Sequence, residues 1–189
     1  VRSMIAHVRS SILFYINGQR HEVTGAQSRM MLADYLRYQA GLTGTKVVCA
    51  EGDCGACSVL RYRPSKSRQS ERFVAINSCI TPVSQMDGSL LVTVEGIAHS
   101  DTKLCPTQKA MVDCHGSQCG FCTPGFVVAL AGLAEKKCSL KNTTKKINHK
   151  EAQNALTGNL CRCTGYEPIL KAATSIDLEQ YVSLKARYA

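Results

Sequence analysis

The alternation of apolar and polar residues in the first half of the chain predicts short strands packed around one helix. Residues 12–16 alternate weakly, Asn17-Gly18 is a typical two-residue hairpin turn, and a second strand is predicted at residues 20–23. Apolar side chains at helical spacing predict a helix over residues 30–39 that ends at Gly41. Further strands are predicted at residues 58–62, 72–77 and 90–94. Strands around a single helix indicate a small α+β sheet domain.

The second half of the chain has the helical period and no strand pattern. Pro106 begins a predicted helix that runs to about residue 115 and ends at Gly116, and Pro124 begins an apolar helix over residues 125–135. Two more helices are predicted at residues 150–156 and 167–181. Four helices predict a small bundle. The chain therefore divides into a predicted sheet domain at residues 10–96 and a predicted helical domain at residues 104–185.

The net charge of +9, from 23 basic and 14 acidic residues, does not by itself indicate nucleic-acid binding. Much of the positive charge is local, in segments 61–72 and 136–150 that we interpret as solvated loops, and no nucleic-acid recognition motif is present. The chain has no run of the roughly 18 apolar residues that cross a bilayer, and its N-terminal apolar run is too short for an export signal. We therefore expect a cytoplasmic protein, in which cysteine clusters bind metal more often than they form disulfides.

Eight of the eleven cysteines fall into two groups of four with metal-cluster spacing. The first group is Cys49-x4-Cys54-x2-Cys57, completed by Cys79. This is the plant-type spacing of a [2Fe–2S] centre, in which four thiolates hold two irons. Structural zinc favours paired knuckles with shorter gaps, so iron–sulfur is the favoured interpretation. Three glycines, Gly44, Gly52 and Gly55, are expected to supply positive φ and to let the backbone approach such a centre closely.

The second group is Cys119-x2-Cys122, completed by Cys161-x-Cys163. Each half of this group directly precedes a predicted helix. The positive end of a helix dipole lowers thiol pKa values and favours a negatively charged cluster. The spacing of this group alone leaves both a [2Fe–2S] centre and a zinc site open.

The remaining cysteines are not assigned to metal. Cys114 is expected to be a small core residue, whereas Cys105 and Cys138 are expected to be partly exposed. His115 is interpreted as structural, and the chain has no Ser/His/Asp set, dinucleotide fingerprint or phosphate-binding loop. We therefore expect no catalytic residue on this chain.

The sequences of the two cysteine motifs closely resemble those in the iron–sulfur subunits of molybdenum hydroxylases such as xanthine dehydrogenase, aldehyde oxidoreductase and carbon monoxide dehydrogenase. The resemblance spans roughly residues 12–175, and the run from Pro106 to Phe126 looks most like bacterial xanthine dehydrogenase small subunits. The matching motifs are Gly44-Thr-Lys46 followed by Cys49-Ala-Glu-Gly-Asp-Cys54-Gly-Ala-Cys57, Gln118-Cys119-Gly-Phe-Cys122-Thr-Pro-Gly125, and Gly158-Asn-Leu-Cys161-Arg-Cys163-Thr-Gly-Tyr166.

The resemblance implies an N-terminal ferredoxin-like β-grasp domain and a C-terminal four-helix domain, each with a [2Fe–2S] cluster. It implies that the second group holds the cluster nearer molybdopterin, with Gln118 close to the pterin, and that the first group holds the cluster facing FAD. Electrons would then pass from molybdopterin through both clusters to FAD. The implied partners are a molybdopterin-binding large subunit and an FAD-binding subunit or domain.

Two departures from the family pattern qualify this expectation. Iron–sulfur regions of xanthine dehydrogenases are commonly fused to an FAD domain, so FAD is expected on a separate subunit unless the chain is a fragment. Val47-Val48 stands where the family often has an acidic or small residue and then Gly, which puts the local loop geometry in doubt. The alternatives are the small subunit of another hydroxylase, acting on aldehydes, nicotinate or carbon monoxide, a redox-sensing regulatory protein, and a zinc protein.

Overall fold

The structure of the chain, a computed structural model, describes residues 9–64, 72–100, 103–140 and 144–188. Its first half contains a five-stranded sheet with the strand order β2-β1-β5-β3-β4. The β1 and β5 strands pair in parallel, and the other neighbours are antiparallel. The strands are β1 (Ile12–Ile16), β2 (Gln19–Val23), β3 (Ser58–Tyr62), β4 (Val74–Asn77) and β5 (Leu90–Val92).

The predicted hairpin is confirmed. Asn17 and Gly18, at φ 50° and 83°, both have the left-handed conformation that a tight turn between right-twisted strands requires. The last strand is shorter than predicted, since it ends at Val92 and Val94 begins a helix. The cause is Asn17, whose side-chain oxygen accepts from the Thr93 N–H at 3.0 Å and takes that group away from the strand.

The predicted helix over residues 30–39 is present with altered bounds. It consists of α1 (Leu32–Asp34), which continues as a π-helical turn over Tyr35–Gln39. The Ala40 N–H donates to the Tyr35 carbonyl five residues back, at 3.0 Å, and Gly41 then ends the helix at φ 70°, as predicted. This half also contains two 3₁₀ turns, Gly25–Arg29 and Val83–Met86.

The second half is helical, and its bounds correct several expectations. The helices are α2 (Val94–Ile97), α3 (Pro106–Asp113), α4 (Thr123–Ser139), α5 (His149–Leu156), α6 (Glu167–Ser175) and α7 (Leu184–Tyr188). The α4 helix runs four residues past the predicted end, so the first part of the basic segment 136–150 is helix and not loop. Lys137 explains the extension, because its ammonium is buried and pairs with the Glu151 carboxylate at 2.8 Å.

The C-terminal end predicted for the helix over residues 167–181 was also wrong. The helix stops at Ser175, and the Asp177 carboxylate then accepts from the Glu179 N–H at 2.9 Å, which closes a turn. In α3, His115 and not Gly116 takes the left-handed conformation after the helix, at φ 53°. Cys105, expected to be partly exposed, is 2% exposed at the start of α3, whereas Cys138 is exposed as expected.

Three predicted segments fall partly on residues that the structure does not describe. They are residues 65–71 of the basic segment 61–72, residues 101–102 of the predicted domain break, and residues 141–143 of the basic segment 136–150. Among the described residues, no helix is both long and apolar enough to cross a membrane.

Both faces of the central strands β3 and β5 are buried, which joins the two halves of the chain. Successive side chains in a strand point to opposite faces, and on β3 Val59 packs among the α1 residues while Leu60 packs against Phe126 and Leu130 of α4. The same alternation holds on β5, where Leu91 faces α1 and Leu90 faces the helices. The helical half therefore covers one face of the sheet and fixes its cysteines relative to those of the sheet half.

The α7 helix was not predicted, and it is held by a buried carboxylate. Glu135, 7% exposed on α4, accepts from the Ser183 hydroxyl and the Leu184 N–H at the start of α7. At the other end of α7, the Arg187 guanidinium donates to the carbonyls of Gly96 and Ala98. The C-terminal helix thus connects α4 to the junction between the two halves.

We expect Glu135→Ala to lower the free energy of unfolding by about 2 kcal/mol, because it leaves a buried Leu184 N–H without a partner. For a chain of this size that is a fall in Tm of roughly 4–8 °C, measurable by differential scanning calorimetry. The matched control is Lys136→Ala, at an exposed neighbour on the same helix, for which we expect a change within about 0.5 kcal/mol. Equal effects of the two variants would contradict the capping role.

Candidate metal centres

The first cysteine group lies on a loop without regular structure, residues 44–57, and on the turn after β4. Three residues of the loop have left-handed backbone, namely Ala50 at φ 59°, Gly52 at φ 84° and Gly55 at φ 68°. These turns curl the chain so that Cys49, Cys54 and Cys57 face one region. Gly52 and Gly55 therefore have the positive φ expected of them, and Gly44 fulfils the other expectation, close approach of the backbone.

Gly44 serves close approach and not a left-handed turn. A Cβ there would lie 2.5 Å from the Val94 side chain, and the Gly44 N–H donates to the Glu95 carboxylate at 2.7 Å. The start of the loop is thereby fixed to α2. Val47 and Val48, where the sequence departs from the family pattern, are exposed residues of this loop, and its left-handed turns at Ala50, Gly52 and Gly55 are present.

The four thiols of the first group form two neighbouring pairs. Cys49 contacts Cys54, whose N–H donates to the Cys49 sulfur at 3.5 Å, and Cys57 contacts Cys79. Cys57 and Cys79 are 2% and 8% exposed, whereas Cys49 and Cys54 are half-buried. Ser78 holds the buried pair together, since its hydroxyl donates to the Cys57 carbonyl at 2.7 Å.

The thiols of the first group differ in acidity. Hydrogen bonds from the backbone N–H groups of Cys54 and Glu51 lower the pKa of Cys49 to about 6, so this sulfur is a thiolate at neutral pH. Burial, together with the neighbouring Cys57 thiol, raises the pKa of Cys79 to about 12. Burial also raises the pKa of Cys54, so binding of metal at this site requires the release of protons from Cys54 and Cys79.

The second cysteine group also consists of two pairs. The sulfurs of Cys119 and Cys163 are 3.5 Å apart and exposed, and Cys122 contacts Cys161 on the inner side. Cys122 lies at the N-cap position of α4, as the sequence predicts. Cys161 and Cys163 lie on the turn before α6, whose N-cap is Tyr166.

Local hydrogen bonds set the acidity of these thiols as well. Burial and the neighbouring Cys161 raise the pKa of Cys122 to about 12. The pKa of Cys119 is lowered by the Phe121 N–H and by the Cys163 thiol. Burial acts to raise the pKa of Cys161, but hydrogen bonds from the Thr164 hydroxyl and from nearby backbone N–H groups lower it on balance.

The two cysteine groups meet through their loops. The Leu160 N–H, next to Cys161, donates to the Cys54 carbonyl at 3.0 Å. Beside it the buried Asn159 side chain donates to the Gly55 carbonyl at 3.1 Å. This contact joins residues more than one hundred positions apart in the sequence, and no local pattern indicates it.

Glycines at two positions make this contact possible. A Cβ on Gly55 would lie 2.3 Å from the Gly158 carbonyl oxygen, and a Cβ on Gly125 would lie 2.2 Å from the Gly55 carbonyl oxygen. Real Cβ atoms do not approach that closely, so only glycine fits at either position. The cysteine motif predicts a role for Gly55 in its own loop, whereas no local pattern indicates the role of Gly125.

The donor set of each group fits a [2Fe–2S] cluster. Such clusters are held by four thiolates shared between two irons, and each group presents four thiols arranged as two pairs. Among the described residues, no set of three or more His, Cys, Asp or Glu side chains is arranged to hold a single metal ion. Gln118, the residue expected near the pterin, is exposed beside Cys119.

Comparison with known protein families matches each cysteine group to a domain. The model of the 2Fe-2S iron-sulfur cluster binding domain matches residues 14–84, which include the first group. The model of the [2Fe-2S] binding domain matches residues 93–174, which include the second group. The fold is likewise that of the ferredoxin-like sheet domain followed by the helical iron–sulfur domain.

Known proteins extend the match beyond single domains. The solved structure of quinoline 2-oxidoreductase from Pseudomonas putida 86 is similar to this chain, with a TM-score of 0.73 and 34% sequence identity. The similarity covers 89% of this chain and 92% of that chain. The chain belongs to the molybdenum hydroxylase family. Within that family it corresponds to the iron–sulfur part, with two [2Fe–2S]-binding domains.

Two curated members of the molybdenum hydroxylase family show the same relationship. Aldehyde oxidase 1 of Rattus norvegicus is 43% identical over 166 residues, which are 85% of this chain. Xanthine dehydrogenase of Drosophila pseudoobscura pseudoobscura is 41% identical over 162 residues, which are 86% of this chain. The chain spans about 12% of the length of these relatives.

Proposed function

We propose that this chain is the electron-transfer component of a xanthine dehydrogenase-like molybdenum hydroxylase. It relays electrons from molybdopterin through two [2Fe–2S] clusters to FAD, both of these cofactors being bound elsewhere in the protein or on partner chains. The second cysteine group, Cys119, Cys122, Cys161 and Cys163, holds the cluster on the molybdopterin side. The first group, Cys49, Cys54, Cys57 and Cys79, holds the cluster on the FAD side.

The observation that supports this proposal most strongly is the direct contact between the two cysteine loops. A bound [2Fe–2S] cluster supplies a one-electron acceptor and donor. The hydrogen bond from the Leu160 N–H to the Cys54 carbonyl connects a neighbour of one ligand set to a member of the other. Asn159, 5% exposed, holds the loops in that position through its hydrogen bond to the Gly55 carbonyl.

The exposed surfaces beside the two sites support two separate partner surfaces. Around the exposed pair of the second group lie Phe121 and Leu160, which are 59% and 51% exposed. We assign this surface to the molybdopterin-binding large subunit or domain, with Gln118 contacting the pterin. Large exposed apolar side chains grouped in this way are typical of interfaces.

A second apolar surface lies beside the first group and is assigned to the FAD-binding subunit or domain. It is formed by Val47, Val48 and Ile80, which are between 37% and 57% exposed. Placement of FAD there agrees with a relay that enters at the exposed Cys119 and Cys163 and leaves at the half-buried Cys49. We further propose that residues 10–96 and 104–185 are the two domains, and that the protein works in the cytoplasm.

A second candidate is an aldehyde-oxidising member of the same family, because the 43% identity to rat aldehyde oxidase 1 is as high as that to the xanthine dehydrogenases of two insects. The iron–sulfur chemistry proposed for the cysteines is the same in both cases. The two candidates differ in the substrate that reduces the intact protein. Reduction by xanthine and not by aldehydes, followed in the visible spectrum, would favour the xanthine dehydrogenase-like member.

The test of the proposed function is elemental analysis with EPR spectroscopy. We would purify the protein without oxygen, measure iron, sulfide and zinc per chain, and record EPR spectra after reduction. About four irons and two distinct signals are expected for two [2Fe–2S] clusters. Zinc without iron would refute the proposal, and a single signal with two irons would refute the assignment of one of the two groups.

A further inference from the structure

The turn over residues 161–166 is closed by three hydrogen bonds among three residues. The Cys161 N–H donates to the Tyr166 hydroxyl at 3.0 Å, and the Tyr166 N–H donates to the Thr164 hydroxyl oxygen at 3.2 Å. The Thr164 hydroxyl in turn lies 3.1 Å from the Cys161 sulfur. Consecutive left-handed residues, Gly165 at φ 68° and Tyr166 at φ 70°, bend the chain into this arrangement.

The direction of the bond between Thr164 and Cys161 follows from the other two. The Thr164 oxygen already accepts from the Tyr166 N–H, so its own proton is available to a second acceptor. A cysteine that ligates iron is a thiolate and has no proton to donate. With Cys161 ligated, the bond between the two atoms can therefore form only with Thr164 as donor and sulfur as acceptor.

The position of Thr164 is fixed from outside the turn as well. The Tyr166 ring packs edge-on against Phe126 of α4, with 6.2 Å between ring centroids and 70° between the planes. Tyr166 is hydrogen-bonded to both Cys161 and Thr164, so the packing of its ring against Phe126 holds the Thr164 hydroxyl next to the Cys161 sulfur. The N–H groups of Cys163 and Thr164 also act on the same sulfur, so Thr164 contributes the one side-chain hydroxyl in a set of donors.

We propose that the Thr164 hydroxyl donates a hydrogen bond to the Cys161 thiolate and raises the reduction potential of the cluster held by the second cysteine group. This inference rests on the proposed function, since it requires Cys161 to be a ligand. Thr164 is a tuning residue and does not ligate the metal. Reduction adds one negative charge to the cluster, and a donor to a ligating sulfur stabilises that charge more than it stabilises the oxidised state. The outer hydrogen bonds of iron–sulfur centres act on their potentials in this way.

The test is a redox titration of the protein, monitored by EPR, on three variants and the wild type. Thr164→Val removes the hydroxyl and keeps the shape of the side chain, whereas Thr164→Ser keeps the hydroxyl. We expect Thr164→Val to make reduction of the second cluster about tenfold less favourable, a shift of about −59 mV for a one-electron couple. Thr164→Ser should stay close to the wild type.

Two comparisons separate tuning from a structural effect. The cluster of the first group should keep its potential in every variant, because its sulfurs lie outside the turn. Thr174→Val makes the same chemical change on α6, where the hydroxyl bonds only the Leu170 and Lys171 carbonyls, and should shift neither potential. An unchanged potential in Thr164→Val, with both clusters present, would overturn the inference and leave the proposed function standing.

Other results are equally decisive. If Thr164→Val fails to assemble the second cluster, Thr164→Ala removes the hydroxyl without added bulk and is expected to show the same negative shift. Deuterium ENDOR in D₂O provides a second measurement. The wild-type protein should show an exchangeable deuteron coupled to the second cluster that Thr164→Ala lacks, in addition to those of the Cys163 and Thr164 N–H groups, and identical deuteron couplings in the two proteins would overturn the inference. Absence of both EPR signals from the wild type would instead refute the proposed function itself.

Discussion

Cys161→Ser is expected to remove one of the two EPR signals of the reduced protein and to leave the other unchanged. A serine hydroxyl is not ionised at neutral pH, so the second group loses one of the four thiolates that hold its cluster. Iron should fall from about four to about two per chain. The visible absorbance should fall in the same proportion. The sheet half keeps its own four thiols and should keep its signal.

The matched control is Cys114→Ala, which removes a thiol from the same helical half. Cys114 is half-buried against the core, and its sulfur lies 3.6 Å from the Ser175 hydroxyl and not with either group. Both signals should persist in this variant. Loss of neither signal in Cys161→Ser would refute the ligand assignment. Loss of a signal in Cys114→Ala would show that the helical half uses a thiol that the proposal omits.

A ligand variant in the sheet half assigns the second EPR signal. Cys49→Ser removes a ligand of the first group and should abolish the signal that Cys161→Ser retains. Loss of the same signal in both variants would mean that the protein has one cluster site. That result would contradict the assignment of a separate cluster to each of the two cysteine groups. Together, these variants assign each EPR signal to one of the two cysteine groups.

The sequence allowed the cysteine groups and most strands to be predicted because their causes are local. Ligand spacing in a cluster loop is fixed by how far a few residues can reach, so Cys49, Cys54 and Cys57 share a recognisable pattern. Alternation along β1 and the Asn17-Gly18 turn are equally local. The structure brings the fourth member, Cys79, to the group through the pairing of β4 with β3.

Features that depend on distant partners could not be predicted. The α4 helix extends to Ser139 because Lys137 finds Glu151 on α5, and α7 forms where Glu135 can cap it. Cys105 is buried because the helices pack over it, not because of its neighbours in sequence. Contacts of this kind override local propensity, and a single sequence holds no record of them.

Gly125 is the clearest case in which local and distant causes oppose each other. It lies in the first turn of α4, where replacing glycine by alanine stabilises a helix by about 1 kcal/mol. The Cβ of an alanine, however, would lie 2.2 Å from the Gly55 carbonyl oxygen and 3.1 Å from the Ala56 Cα. Both of these are backbone atoms, which cannot rotate away from the added Cβ as a flexible side chain can. The contact should therefore outweigh the gain in helix propensity.

We expect Gly125→Ala to lower the free energy of unfolding by about 2 kcal/mol, since overpacking costs roughly 1–3 kcal/mol and sometimes more. The corresponding fall in Tm is roughly 4–8 °C, measured on variants with equal iron content. The matched control is Gly158→Ala in the same contact region, where nothing lies within 4 Å of the added Cβ, and the change should stay within about 0.5 kcal/mol.

Spin–spin interaction between the two reduced clusters should weaken in Gly125→Ala alone, because the added methyl group separates the loops. Stability of Gly125→Ala at or above that of the wild type would mean that helix propensity prevails and that the two cysteine loops are not in the close contact from which the relay is inferred.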